Sequence, residues 1–175
     1  NVVKKEVNYN PAFIKLFDEA IVNASDQAIR TRGTKNPVKI IKVNVDHESI
    51  SIENDGESIA IEMHPEEQVY NTELIFFNLL TGENYDDTQE KTVGGKNGLG
   101  IKLSAIFSDK IIVENCDGIK KYKQVATNNM ADIAKPVIKE AKGSKSFTKV
   151  TFFPDLPRFG MKTICDDSIS IMLKR

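Results

Sequence analysis

Three groups of residues in this sequence have types and spacings that can do chemistry. Glu19, Asn23 and Asp26 lie four and three residues apart, which puts them on one face if the segment is helical. A carboxylate one turn from a carboxamide can hold a water and a Mg²⁺ together, because Mg²⁺ prefers oxygen ligands and keeps several waters. The same spacing also fits an ordinary solvated helix face. Glu53, Asn54, Asp55 and Gly56 close an apolar run. At the end of a strand, such an amide or carboxylate can read an exocyclic amine, and Gly56 lets backbone approach a flat ring. A plain Asp-Gly turn fits too. The third group is Gly94, Gly95, Lys96, Asn97, Gly98, Leu99, Gly100, Ile101 and Lys102. A glycine loop running into a helix exposes backbone N–H groups, and the helix start adds partial positive charge. Lys102 adds a full one. That is a phosphate cradle by physics, with a flexible linker as the blander reading. It is neither a P-loop, because Ile101 follows Gly100 where Lys is required, nor GxGxxG, because Leu103 stands at the last glycine position.

Secondary structure must position these groups. Ile14, Phe17, Ile21, Ala24 and Ala28 recur at helical spacing, an arc roughly 80° wide, and predict a helix over residues 12–30. Pro11 suits its start and Gly33 its end. Residues 38–45 and 49–54 are Val- and Ile-rich and predict two antiparallel strands. Residues 65–70 read as loop, and Thr72 as the cap of a helix over 73–80. Residues 82–100 read as a mobile loop, with a helix leaving it over 100–107. Asp117-Gly118 predicts a hairpin between 111–115 and 119–126. Residues 127–146 read as a weakly ordered loop, and 147–153 as a strand stopped by Pro154. This order predicts an α/β (α+β) two-layer sandwich, one mostly antiparallel mixed sheet with helices on one face.

The bulk composition fits one such domain over residues 1–175. Apolar residues make up 40 % of the 175, charged residues 28 %, and the formal net charge is −1, which points to neither a nucleic-acid patch nor a membrane-surface helix. The late lysines Lys120, Lys121, Lys123, Lys135, Lys139, Lys142, Lys145 and Lys149 read as solvated faces. Cys116 and Cys165 form no CxxC, so neither a disulfide framework nor a zinc site is expected, and a reducing, intracellular setting fits. No signal peptide or membrane span is expected. The chain reads as a piece of a longer protein.

The joint order of the three motifs resembles the GHKL ATPase superfamily, which includes gyrase-type topoisomerases, MutL proteins, heat-shock chaperones and histidine kinases. The run from Phe17 to Asp26 is similar to the first motif of eukaryotic-type topoisomerase II, which large DNA viruses also carry. Leu79-Leu80-Thr81 with Asn84-Tyr85-Asp86-Asp87 looks like the stretch before its lid. Gly94 to Leu103 followed by Ile106-Phe107-Ser108 is similar to its glycine motif. Val150 to Leu156 resembles its late strand. Together these span roughly residues 7–160.

The resemblance implies a Bergerat-type ATP-binding fold with residues 82–100 as the ATP lid, and ATP and Mg²⁺ as cofactors. Glu19 would be the general base. Asn23 would bind the Mg²⁺ that bridges the phosphates. Asn54, beside Gly56, would contact the adenine amine. Thr148 would assist at the adenine through water, with Thr151 as the alternative. Asn84 would face the ribose or phosphate. Gly95, Lys96, Asn97, Gly98, Leu99, Gly100 and Lys102 would wrap the triphosphate. It further implies hydrolysis that drives DNA strand passage, contact with DNA through domains outside this sequence, and a homodimer in the full enzyme. A lysine of the next domain would complete the γ-phosphate site, so the isolated chain is expected to be monomeric and weakly active or inactive. A nuclear or viral setting would follow. Two competing readings are a chaperone- or MutL-type ATPase and a non-hydrolysing nucleotide sensor. The sequence departs from the family at Ser58 and Ala60, which replace glycine and proline, and at Gly82-Glu83, which replace two serines. Lys96 stands for arginine and Leu99 for an aromatic.

Overall fold

The computed structural model describes residues 4, 6–78 and 100–175. The chain opens with helix α1, Pro11–Arg30. Asn10 caps it: its Oδ1 accepts from the N–H groups of Ala12 and Phe13 at 2.9 and 3.2 Å, and Pro11 fills the first turn, where no N–H is needed. The helix ends at Thr31, whose hydroxyl donates to the Gln27 carbonyl at 2.9 Å and accepts from the Val38 N–H at 3.0 Å. Ile14, Phe17 and Ala24 are buried as the periodicity predicts, but so are Phe13, Leu16 and Ala20, while Ile21 and Ala28 stay half-buried. The buried surface is broader than one stripe because α1 packs against both the sheet and a second helix, α3 (Gly100–Ile106).

Seven strands form one sheet: β1 (Ile41–Val45), β2 (Ile50–Asp55), β3 (Ser108–Cys116), β4 (Lys120–Thr127), β5 (Asp132–Ile133), β6 (Val137–Glu140) and β7 (Phe147–Pro154). Their order is β1-β2-β7-β3-β4-β5, with β6 also on β4, and every recorded pairing is antiparallel. Period-two alternation gives the sheet two faces. Ile50, Ile52, Ile111, Val113, Val150 and Phe152 join α1 and α3 in the core. On the other face a single cross-strand row reads Lys42, Glu53, Lys149, Glu114, Lys123 from β1 to β4. Opposite charges facing one another across strands are favourable, with recorded pairs at 3.4 Å (Lys42–Glu53) and 3.8 Å (Lys123–Glu114). Two of the late lysines thus sit in a balanced, solvent-facing row. The hairpin turn is where the sequence predicts it: Gly118 has φ +89°, and Asp117 Oδ1 accepts from the N–H groups of Ile119 and Lys120 at 2.8 and 2.7 Å.

Two expectations need correction. Helix α2 spans Asn71–Phe76 with Tyr70 at the cap position, so Thr72 lies inside it. Thr72 is fully buried, and its hydroxyl accepts from Asn115 at 3.2 Å. The cap reading fails because this hydroxyl serves a tertiary contact. Residues 127–146 hold β5 and β6 rather than a weakly ordered loop. Their pattern was obscured by lysines, by Pro136, and by a left-handed turn at Asn128, Asn129 and Met130. A short final helix, α4 (Asp166–Met172), also packs on α1.

Candidate nucleotide site

The motif residues converge between α1 and one end of the sheet. A cavity of about 270 Å³ opens there, lined along α1 by Asn23, Asp26, Gln27 and Arg30. Asn54 on β2 and Thr148 on β7 form its sheet side, and Ile59 with Ile75 its apolar wall. Asn54 and Thr148 are direct cross-strand partners, which is why distant segments present their side chains together. Both are buried, at 4 % and 7 % exposure. Thr151, three residues further along β7, bonds Ser51 at 3.2 Å on the face away from the helices. Alternation along β7 therefore selects Thr148 over Thr151.

Glu19 lies one turn before Asn23. Its Oε1 pairs with Lys15 at 2.6 Å, and this carboxylate holds the Lys15 ammonium above its ordinary range. Its Oε2 lies against Gly100: a Cβ on that residue would sit 1.8 Å from the oxygen. The chain leaving the glycine motif thus passes in contact with Glu19, a path that requires a residue without a side chain. Lys102, one turn into α3, is only 7 % exposed. Burial pushes its ammonium below the ordinary 10.5, and it makes no ion pair among the described residues. A buried cation without an anion is costly, so this position is suited to an anionic ligand.

Asn54 Nδ2 donates to the Asp55 carbonyl at 3.1 Å. Asp55 itself faces backbone: its Oδ1 accepts from the N–H groups of Lys39 and Ile40, both at 2.8 Å. Partial burial would raise its carboxyl, but the hydrogen bonds from Ile40 and Lys39 outweigh that and hold it below the ordinary carboxylate range. Gly56 is required for a reason other than ring approach. Its φ is +81°, and a Cβ there would meet the Val38 nitrogen at 2.5 Å and the Pro37 carbonyl at 2.7 Å. The glycine lets the exit of β2 cross the 37–38 backbone. Ser58 donates to the Cys116 carbonyl at 2.6 Å, so this departure from the family motif ties a loop to β3.

Asn23, Asn54 and Thr148 therefore line one cavity, Glu19 meets Gly100 one turn before Asn23, and Gly56 and Lys102, two residues beyond Asn54 and Gly100, are not among the residues that line it. Asn84, Gly95, Lys96, Asn97, Gly98 and Leu99 lie outside the described residues, as does most of the predicted lid. Gln27, Arg30, Ile59 and Ile75 were not among the predicted site residues. Gln27 and Arg30 continue the α1 register by four and three residues, the signal in the sequence that points to them. Gln27 donates to the Glu57 carbonyl at 2.7 Å and accepts from Arg30. Nothing in local spacing marks Ile59 and Ile75.

No protein-family model matches the chain. Relatives and solved structures do. The chain is 47 % identical over 179 residues to DNA topoisomerase 2 of Meyerozyma guilliermondii, covering all of this chain and 12 % of that protein. It is 46 % identical over 178 residues to the Pisum sativum enzyme, covering 99 % and 12 %. The ATPase region of Saccharomyces cerevisiae topoisomerase II superposes with a TM-score of 0.88 at 43 % identity, covering 98 % of this chain and 46 % of that one. The 43K ATPase domain of Thermus thermophilus gyrase B, solved with an aminocoumarin, gives a TM-score of 0.68 at 22 % identity over 93 % of this chain and 39 % of that one. An antiparallel sheet with helices on one face, shared with gyrase B, defines the class as a GHKL-type ATPase fold. Within it, the chain belongs to the eukaryotic-type DNA topoisomerase II family, in the part that forms the ATPase region. It spans about 12 % of the length of the topoisomerase relatives it matches.

Proposed function

We propose that this domain binds Mg-ATP in the cavity beside α1 and hydrolyses it, and that within a larger homodimeric protein the hydrolysis drives DNA strand passage. The observation that carries the reading is the contact of the Glu19 carboxylate with Gly100, where α3 leaves the glycine motif two residues before a buried Lys102 that has no ion pair among the described residues. The base lies between Asn54, Thr148 and the Ile59–Ile75 wall, and Lys102 faces the phosphates. Asn23 offers a hard oxygen to Mg²⁺, with Glu19 and Asp26 on the same helix face. Among the described residues no three His, Cys, Asp or Glu side chains converge, which suits a cation that takes most of its ligands from phosphate and water. When bound, that Mg²⁺ neutralises charge on the phosphates. Glu19 accepts a proton from the water that attacks the γ-phosphorus as the β–γ bridging P–O bond breaks, releasing ADP and inorganic phosphate.

DNA contacts, dimerisation and the residues completing the γ-phosphate site are assigned to other parts of the protein, and residues 82–100 to the lid. The isolated domain is then a monomer with slow turnover. No helix among the described residues is long and apolar enough to cross a membrane. The eukaryotic relatives support a nuclear setting, or a host cell for a viral source. The test is ATP turnover and binding for wild type and Glu19→Gln, each alone and fused to a relative's next domain. Glu19→Gln should keep nucleotide affinity within about threefold and lose turnover by roughly 10²–10⁴. Unchanged turnover in Glu19→Gln would overturn the assignment.

A further inference from the structure

We propose that Asn115, which is not among the residues lining the cavity, sets the nucleobase preference of the site by fixing the hydrogen-bond polarity of Thr148. The inference rests on the nucleotide reading above. Asn115 is fully buried in β3, directly across from Thr148 on β7. Its side-chain orientation is determined by its partners. One terminal atom lies 2.6 Å from the Ile59 carbonyl oxygen. A carbonyl only accepts, so that atom is the amide nitrogen. Its second hydrogen is directed to Thr72 Oγ1 at 3.2 Å. Both donors of Asn115 are then engaged, and Oδ1 must be the atom that faces Thr148, at 3.4 Å from its hydroxyl oxygen.

An amide oxygen only accepts, so the Thr148 hydroxyl hydrogen points at Asn115. The lone pairs of Thr148 are left for the cavity. Asn54 gives one amide hydrogen to the Asp55 carbonyl, which leaves its second hydrogen as well as its Oδ1, so the polarity of this end is fixed by Thr148 and not by Asn54. The Thr148 hydroxyl therefore presents an acceptor to the cavity. Adenine offers an exocyclic amine, a donor, at its six-position. Guanine and hypoxanthine carry an oxo group there, an acceptor, and two acceptors brought together leave both unsatisfied. Asn115 also holds the Ile59 carbonyl and so braces the apolar wall. It is a positioning residue that acts through Thr148 and never meets the ligand.

The experiment is calorimetric titration of the domain with Mg-ATP and Mg-ITP, which differ in the amine or oxo group at the six-position and in the hydrogen that the oxo form carries on the adjacent N1. Wild type should prefer ATP. In Asn115→Leu, similar in size but unable to hold the Thr148 hydrogen, the ATP-to-ITP preference should fall about tenfold, the scale of one hydrogen bond. Thr148→Ala should lose the same preference, and the double variant should lose no more than either single one. Equal weakening of both nucleotides in Asn115→Leu, or full additivity in the double variant, would show a purely structural role and overturn the proposal. Should Asn115→Leu fail to fold, Asn115→Ser, whose hydroxyl is too short to reach Thr148, carries the same expectation, and a full ATP preference there would overturn the inference. Wild type that binds neither nucleotide would sink the nucleotide reading itself. Binding of ATP with an unchanged preference in the Asn115 variants would sink only this one.

Discussion

The proposed base and phosphate ends of the site are built on opposite electrostatic plans. At the base end, both donors of Asn115 and one donor of Asn54 are engaged within the protein, on β3 and β2, which flank β7. At the phosphate end, Lys102 is buried with no anion beside it among the described residues. A neutral base is recognised by polar groups held still, so the framework gains from satisfying every donor first. A polyanion is recognised by charge, and a cation already paired with a carboxylate would have less to offer it. The base end should therefore contribute to the stability of the empty domain, and the phosphate end should detract from it.

Substitutions can break or sharpen that contrast. The largest effect is expected at Gly56, next to Asn54. Gly56→Ala combines a left-handed backbone with a Cβ 2.5 Å from the Val38 nitrogen, and should cost about 3 kcal/mol in denaturant unfolding. A loss under about 1 kcal/mol would mean that the 37–38 segment yields easily and the base end is not rigid. Gly100→Ala should act on chemistry instead. Its Cβ would fall 1.8 Å from Glu19 Oε2 and displace the carboxylate, lowering turnover about a hundredfold with a smaller change in nucleotide affinity.

Lys102→Met should move two quantities in opposite directions. ATP affinity falls, while the empty domain gains up to about 1 kcal/mol, because a buried charge with no ion pair among the described residues is replaced by an apolar chain. The pH dependence follows from the same residue. Its folded pKa lies below its ordinary 10.5, so between the two values the unfolded chain binds more protons and stability rises with pH. Wild type should approach Lys102→Met in stability as pH climbs toward that ordinary value, and the two should keep a constant difference below the folded pKa. The smallest effect belongs to the outer sheet face. Lys42→Ala removes an exposed pair with Glu53 and should change stability by less than about 0.5 kcal/mol.

How far the sequence exposes this arrangement depends on how local the cause is. The helix carrying Glu19 and Asn23 follows from apolar spacing and from Pro11 at its start. The hairpin follows from Asp117-Gly118, and the strands from Val and Ile runs. Gly100 reads as part of a phosphate cradle because glycine before a helix has a local meaning. Asn115 does not read as functional, since its effect requires the β3–β7 register that sets it across from Thr148. Thr72 reads as a cap because its true partner is 43 residues away. Gly56 reads as a binding glycine, whereas its constraint comes from Pro37 and Val38 packing on it. Residues 127–146 escape detection because β5 and β6 are short and polar, held by pairing with β4 rather than by their own pattern.

The central claim, that α1 and the sheet end form a Mg-dependent nucleotide site, is tested most directly by thermal unfolding with a non-hydrolysable ATP analogue, with and without Mg²⁺, on wild type and Asn23→Ala. At about 100 times Kd the wild type should gain roughly 2.7 kcal/mol, in a manner that requires Mg²⁺ and disappears in Asn23→Ala. No gain at saturating analogue, or an equal gain in Asn23→Ala without Mg²⁺, would contradict it.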